Sequence, residues 1–485
     1  MSINSESDNH KGPFSWRPSY HIAPPYGLMN DPNGFSYFNH QYWLFFQWNP
    51  SGCEHVNKHW GLMTSTDLVH WQQQPFKMAP THWFDKDGCY SGSGLVEKGG
   101  LSLFYTGNVR HGELRESYQC LVTTEDGQQY LNQGPLWTKQ LEDFTGHVRD
   151  PKVFYVNQQR RMWLAAQNRD LKGGVAVLDE TAEGTWQLRG HYFNPIGWAN
   201  DQLGYMWECP DRLQFGDQVV LVCCVQGINC SDPYSSNENL SGFFQIEEDA
   251  DGEIRFTSDY LLLDHGFEFY APQSIVDPQG QTILIGWMGL PDDPEQPSVA
   301  NEQWCGQLTM PRVCQWENGA LRQRPLAELF AAFSEPNTVL PITFKMASFE
   351  CTNTCYIELD NLKGAGQLTV DNPKESLVIT WDENGEATVD RTEFCTVGMD
   401  LIRQYKSRDG CIKQLQLFID NSSFELFIND GEAVMTGRIF PNTSVTHATV
   451  LGVAGELKVR FLDTSCINTL MKEQFSDEYA SLVSR

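Results

Sequence analysis

Three carboxylates stand in short boxes that each contain a proline just downstream. They are Asp31 in Asn30-Asp31-Pro32-Asn33-Gly34, Asp150 in Arg149-Asp150-Pro151 and Glu208 in Glu208-Cys209-Pro210. Carboxylates grouped around one bond can cleave an acetal: an ionised group attacks while a second lends its proton to the leaving oxygen. The proton donor must stay protonated near neutral pH, which burial or a nearby like charge brings about. Glu208 follows Trp207 within an apolar run and is read as the acid. Asp31 sits in an Asp-Pro-Asn-Gly turn signature rich in backbone N–H donors and is read as the permanent anion. Asp150, beside Arg149, is expected to stay ionised and to grip hydroxyls. Taken singly, each is an ordinary turn or cap residue; their recurrence is what gives them weight.

Asp31, Ser91, Asp150, Glu208 and Pro272 open five strand–turn–strand units spaced about 60 residues apart. Each unit is rich in Val, Ile, Phe, Tyr and Trp and is punctuated by Gly, Asn, Asp and Pro, an all-β signature. Five such units predict a five-bladed β-propeller with a polar mouth on its central channel. A sandwich array with coincidental spacing is the competing arrangement. Residues 324–333 hold the one helix-like stretch, and from about residue 340 alternating strands resume between turns such as Asn384-Gly385 and Asn429-Asp430-Gly431. That tail reads as a β-sandwich. The expected division is a catalytic propeller over 1–323, a linker with a short helix over 324–339 and a C-terminal β-sandwich over 340–485.

The net charge of −28 repels phosphate backbones and anionic bilayers, so neither nucleic acid nor membrane is an expected partner. Residues 1–20 lack the apolar core of a secretion signal, and no run approaches the ~18 apolar residues of a membrane span. A cytoplasmic address is therefore expected, with the 14 cysteines reduced. None falls in a Cys-x-x-Cys pair or at zinc-site spacing, so no metal is expected.

The three boxes together resemble the signature segments of glycoside hydrolase family 32, which comprises invertases, fructan hydrolases and sucrose-6-phosphate hydrolases. The resemblance extends to Tyr90-Ser91-Gly92-Ser93, Phe269-Tyr270-Ala271-Pro272-Gln273 and Gly286-Trp287. In the tail it takes in Ser423-Phe424-Glu425-Leu426-Phe427 and Arg438-Ile439-Phe440-Pro441. It implies a five-bladed propeller followed by a β-sandwich that hydrolyses β-fructofuranosides, sucrose or its 6-phosphate, with retention. Asp31 is implied as nucleophile, Glu208 as acid and then base, and Asp150 as transition-state stabiliser. Asn30, Gln47, Trp60, Tyr90, Ser91, Arg149, Tyr270 and Trp287 are implied for the fructose subsite. The implied partner is a small sugar, and no metal or organic cofactor is called for. Retention requires nucleophile and acid carboxyls roughly 5–5.5 Å apart.

Two departures bear on the leaving group. Leu28 stands where the family's first box commonly begins with Trp, and many invertases carry a Trp near the position of His55. The segment from His55 to Trp60 is more similar to bacterial sucrose-6-phosphate hydrolases. An anionic substrate on so acidic a protein needs a local basic patch, for which Lys58 with His55 or His59 is one candidate and a solvated loop the alternative. Competing readings are a fructan hydrolase or fructosyltransferase, a non-catalytic fructoside-binding protein, and an inverting arabinanase-type enzyme with carboxyls ~6.5–9.5 Å apart.

Overall fold

The computed structural model describes residues 15–462, except 194–202, 229–236, 250–251, 293–295, 334–337, 343–345, 395–399 and 453–454. Most of the amino-terminal stretch read for a secretion signal lies outside the described residues. Five antiparallel sheets come first, each taking its four main strands in sequence order. Their first strands are Gly27–Phe38, Cys89–Glu97, Phe144–Val156, Met206–Phe215 and Tyr270–Val276. Each packs against the first strands of both neighbouring sheets, so the five close a ring around a central axis. This is the five-bladed propeller.

Burial follows position in the blade. Second strands such as Gln218–Gln226 (QVVLVCCVQ) are covered on both faces and are almost continuously apolar. Outer strands such as Trp186–Phe193 alternate between half-buried and exposed residues. The ring is closed by Trp304–Cys305, which pairs in parallel with Gly27 and Leu28 of the first blade before the chain returns to finish the fifth.

Every inner strand carries a register slip at its box: between Met29 and Pro32, Tyr90 and Gly92, Arg149 and Lys152, Glu208 and Asp211, and Tyr270 and Gln273. Four of these stretches contain a proline, which has no N–H for the ladder and so favours a bulge there. Asp150, Cys209 and Ala271, each just before a proline, have left-handed φ values of 60°, 47° and 48°. The Asp-Pro-Asn-Gly stretch is therefore not a hairpin turn but an irregular part of a strand; the hairpin turn comes later, at Asn39 and His40.

The inner strand is an edge of its sheet along most of its length and leaves backbone N–H groups that need partners, and in or beyond each box a side chain of the preceding blade supplies one. Asn33 Oδ1 accepts from Gly92 at 3.0 Å and Ser93 Oγ from Val153 at 3.0 Å. Asp150 Oδ2 accepts from Cys209 at 3.0 Å, Asp211 Oδ2 from Ser274 at 2.6 Å, and Gln273 Oε1 from Phe35 at 3.4 Å. The fifth bond returns to the first blade and completes the circle.

The helix-like stretch forms a 3-10 helix at Ala327–Ala332, with Leu329 and Ala332 buried three residues apart as that geometry dictates. A short α-helix not anticipated from sequence occupies Pro297–Glu302, with proline at its start and left-handed Gln303 at its end. Beyond lie two six-stranded sheets packed over an apolar core that includes Ile357, Leu368, Trp381 and Leu417. This β-sandwich is joined to the propeller by a shared apolar cluster, in which Trp287 and Met310 meet Tyr356, Phe418 and Phe427. Arg312, fully buried, lies between Asp264 at 3.0 Å and Glu425 at 2.6 Å. His21 bridges Asp420 and Glu425 at 2.9 and 3.0 Å. Among the described residues no helix is long and apolar enough to cross a membrane.

Candidate active site

Asp31 enters the ring mouth on the first bulge and is held by a closed circuit of side chains. Ser91 donates its hydroxyl to Oδ2, and Asn30 Nδ2 donates to Oδ1 at 2.9 Å. The same Asn30 amide donates to Gln47 Oε1 at 2.9 Å, and Gln47 Nε2 donates to Ser91 Oγ at 2.7 Å. Lys58 Nζ donates to Asn30 Oδ1 and completes the support. The donors are thus side chains, not the backbone N–H groups expected of a turn. Burial pushes the Asp31 carboxyl above the usual range and the charge of Glu208 adds to this, against the hydrogen bonds from Ser91 and Asn30 and the cation of Lys58.

Asp150 and Glu208 occupy the bulges of the third and fourth blades. Cys209, held left-handed, gives its N–H to Asp150 and sets its thiol 3.7 Å from Asp31 Oδ2 and 3.8 Å from Asp150 Oδ2. Burial keeps that thiol protonated. It also lifts Asp150 to about 7, opposed by Arg149 and reinforced by the charges of Glu208 and Asp31. Arg149, expected to keep Asp150 ionised, opposes this rise only in part, because its guanidinium is committed elsewhere. Its Nε and Nη2 both donate to Glu208 Oε1, at 2.9 and 2.7 Å, while Asp150 Oδ2 is 3.9 Å from Nε.

Tyr270 donates its hydroxyl to Glu208 Oε2 at 2.8 Å. The apolar setting read from Trp207 is absent around the Glu208 carboxylate: Trp207 points the other way and stacks on Phe244 at 5.1 Å. Strand alternation explains this, since consecutive residues face opposite sides.

The structure brings Asn30, Gln47, Ser91, Arg149 and Tyr270 together around the three carboxylates. Trp60 is placed differently. It is 0% exposed, with Nε1 donating to the Tyr90 carbonyl at 3.1 Å, so it stands behind the site and supports Tyr90. Trp287 is 3% exposed, and its indole N–H has no partner among the described residues. Its ring meets Tyr270 edge-on at 6.4 Å and His55 at 5.6 Å. With Leu28, His55 and Cys305 it lines a cavity of about 310 Å³. Lys58, considered above for an anionic substrate, is buried and bonded to Asn30 and His55 Nδ1, the latter at 3.2 Å. His59 Nδ1 is taken up by the Asn57 carbonyl at 2.7 Å.

Three contributors were not singled out from sequence. Thr106 accepts the Asp150 N–H, Cys209 sits between two carboxylates, and His147 Nδ1 accepts from Arg149 Nη1 at 3.0 Å. His147 was within reach, because a residue two before Arg149 shares its strand face. Among the described residues no three His, Cys, Asp or Glu side chains gather as a metal set.

Asp31 is clamped by neutral donors, Glu208 is oriented by Arg149 and Tyr270, and Asp150 is linked to Asp31 through the Cys209 thiol.

Comparison with known proteins bears on this geometry. The model of the glycosyl hydrolases family 32 N-terminal domain matches residues 21–325, and that of the family's C-terminal domain matches residues 332–466. A sucrose-6-phosphate hydrolase of Salmonella typhimurium is 39% identical, with 88% of this chain and 89% of that protein covered. A probable sucrose-6-phosphate hydrolase of Vibrio cholerae is 37% identical over 92% of this chain and 81% of its own length. The solved sucrose-6-phosphate hydrolase of Lactobacillus gasseri superposes with a TM-score of 0.83 at 28% identity, covering 94% of both chains. A mutant of the Bombyx mori family 32 β-fructofuranosidase, in complex with sucrose, gives 0.80 at 26% identity over 92% of this chain and 93% of its own.

Proposed function

Because this chain belongs to glycoside hydrolase family 32, we propose that it is a β-fructofuranosidase that cleaves sucrose or sucrose 6-phosphate through Asp31 and Glu208. The observation that carries the assignment of roles is the contrast between the two carboxylates. Asp31 has both oxygens fixed by the Asn30–Gln47–Ser91 circuit, which aims it as a nucleophile must be aimed. Glu208 is held by groups that can exchange partners as its proton comes and goes: Arg149 on one oxygen and the Tyr270 hydroxyl on the other.

In the first step Asp31 attacks the fructosyl anomeric carbon while Glu208 protonates the departing glucosyl oxygen. In the second, Glu208 takes a proton from water, which displaces Asp31 and releases fructose with its configuration retained. Asp150, its pKa lifted towards neutral pH, presents a carboxyl to the fructose hydroxyls, and the Trp287 N–H, without a partner among the described residues, is available to a further hydroxyl. The catalytic unit is assigned to 1–323, the connector to 324–339 and the sandwich to 340–485. The last propeller strand, Ala320–Pro325, and the first sandwich strand, Thr338–Ile342, support such a division and overrun its boundaries by two residues each.

Kinetics of two variants test the assignment. Asp31→Asn should lower kcat by about 10⁴-fold or more while still binding sugar. Glu208→Gln should lose least on fructosides with good leaving groups, which need little protonation. Turnover by Asp31→Asn at the wild-type rate, or a Glu208→Gln loss independent of the leaving group, would remove the corresponding role.

A further inference from the structure

A cysteine pair far from the carboxylates has its sulfurs already in contact. Cys351 and Cys355 flank the turn Thr352-Asn353-Thr354 in the sandwich, and their Sγ atoms lie 2.9 Å apart. Closeness in sequence alone does not bring this about. Cys223 and Cys224 are neighbours along one strand yet face opposite sides of it, each in a different apolar cluster. Cys351 and Cys355 instead point into the same core.

The pair spans the two layers of the sandwich. Cys351 follows the strand Met346–Glu350, which pairs with His447–Leu451 in one sheet. Cys355 lies in Thr354–Asp360, which pairs with Leu415–Asp420 and Gly455–Phe461 in the other. Backbone bonds fix both: the Cys351 N–H donates to the Thr446 carbonyl at 2.9 Å, and Cys355 stands opposite Ile419 and Phe461 in its ladders. The fold itself holds the sulfurs together, so joining them needs little backbone movement.

The turn between them is also a clamp. Asn353 accepts the Asn421 N–H on its carbonyl at 2.8 Å and the Val445 N–H on Oδ1 at 2.6 Å. Asn421 donates its side-chain amide to the Arg17 carbonyl at 2.7 Å. The neighbouring Asp420 carboxylate accepts from the backbone N–H groups of Ser19, Tyr20 and His21. Whatever tightens the turn therefore steadies this amino-terminal segment and the ionic junction that His21 joins.

The two thiols differ in access. Thr352 is exposed and Cys351 lies beside it at 5% exposure, whereas Cys355 is wholly buried. The hydrogen bond with Cys351 and burial together hold the Cys355 thiol protonated. Cys355 is then the S–H donor, and Cys351 is the sulfur that carries the charge needed to attack a disulfide.

We infer that Cys351 and Cys355 are a redox-reactive dithiol that small disulfides of the glutathione class close into a bridge between the two sandwich sheets. The Cys351 thiolate attacks one sulfur of the oxidant and expels one small thiolate, which leaves a mixed disulfide on Cys351. Cys355 then gives up its proton, and its sulfur attacks Cys351 Sγ and expels the second small thiolate. In all, two protein thiols lose two hydrogens and one small disulfide becomes two thiols, so a reducing thiol pool reverses the step.

The test equilibrates the folded protein with glutathione buffers from fully reduced to fully oxidised. Each sample is quenched in acid, alkylated in denaturant and mapped by peptide mass spectrometry. In oxidised buffer the segment holding Cys351 and Cys355 should be two hydrogens lighter and escape alkylation, while Cys223 and Cys224 are alkylated. Cys355→Ser should keep one glutathionyl unit on Cys351, and Cys351→Ser should leave Cys355 reduced. The bridged wild type should melt about 2 °C above the reduced form. Backbone N–H exchange at Ser19, Tyr20 and His21 should slow by about threefold or more. Two alkylated thiols in fully oxidised buffer overturn the dithiol. Equal melting and exchange in the two redox forms overturn its hold on the amino-terminal segment. Should either variant fail to fold, the wild-type maps decide alone.

Discussion

At the residue scale, the three carboxylates recur at equivalent places in a repeat but sit in different electrostatic environments. Each environment is set by a residue from another blade. Arg149 reaches forward to Glu208, and Ser91 reaches back to Asp31, contacts of some 60 residues that adjacency in sequence cannot reveal. Lys58, from the same blade as the nucleophile, adds a cation to this environment. Its cation lowers the Asp31 pKa against the effect of burial, while its own pKa is brought down to about 8. Removing a cation beside an anion raises the anion's pKa. The acid limb of kcat/KM in Lys58→Met should therefore move to higher pH by about half a unit or more, and Lys58→Arg should restore part of the shift. Overlapping pH profiles for Lys58→Met and the wild type would mean that Lys58 serves only packing.

At the element scale, the repeating feature is a bulged inner strand with an edge N–H that a side chain of the blade before accepts. The strands themselves could be read from composition and turn residues, and so could the number of blades. The bulges could not: Asp-Pro-Asn-Gly and Glu-Cys-Pro also fit turns, and only pairing to a second strand shows that the ladder continues past them. The 3-10 helix at Ala327–Ala332 is a similar case, in which local propensity pointed to a helix and burial three residues apart selected the tighter form. Cys209 tests the importance of the left-handed turn, since it positions the N–H that Asp150 accepts. Cys209→Gly keeps that conformation accessible and should change stability by less than about 1 kcal/mol. Cys209→Val, β-branched at positive φ, should cost about 2 kcal/mol or more and depress kcat by displacing Asp150. Denaturant midpoints and kcat for the two variants check this, and equal behaviour would mean the turn carries no strain.

At the scale of the whole molecule, propeller and sandwich share an apolar cluster and a buried ionic junction, so they are expected to unfold together. The two β architectures were visible in the change of pattern near residue 340, but the junction was not. Its members, His21, Asp264, Arg312, Asp420 and Glu425, lie too far apart in sequence to be associated. His21 makes the junction sensitive to pH. The carboxylates of Asp420 and Glu425 overcome burial and raise its pKa to about 9. A pKa raised on folding gives stability that is fully present below the unfolded value of about 6.5 and is lost as pH rises through the folded value. The Tm difference between the wild type and His21→Gln should therefore be largest at pH 6 and shrink towards pH 9 to 10. A difference that stays constant over that range would place the His21 proton elsewhere. The central claim, that Asp31 becomes covalently linked to fructose, is tested most directly by intact-protein and peptide mass spectrometry of Glu208→Gln during turnover of an activated fructoside. The account predicts an added mass of one anhydrofructosyl unit on the peptide that contains Asp31. No adduct, together with α-fructofuranose as the first anomer released, would contradict it.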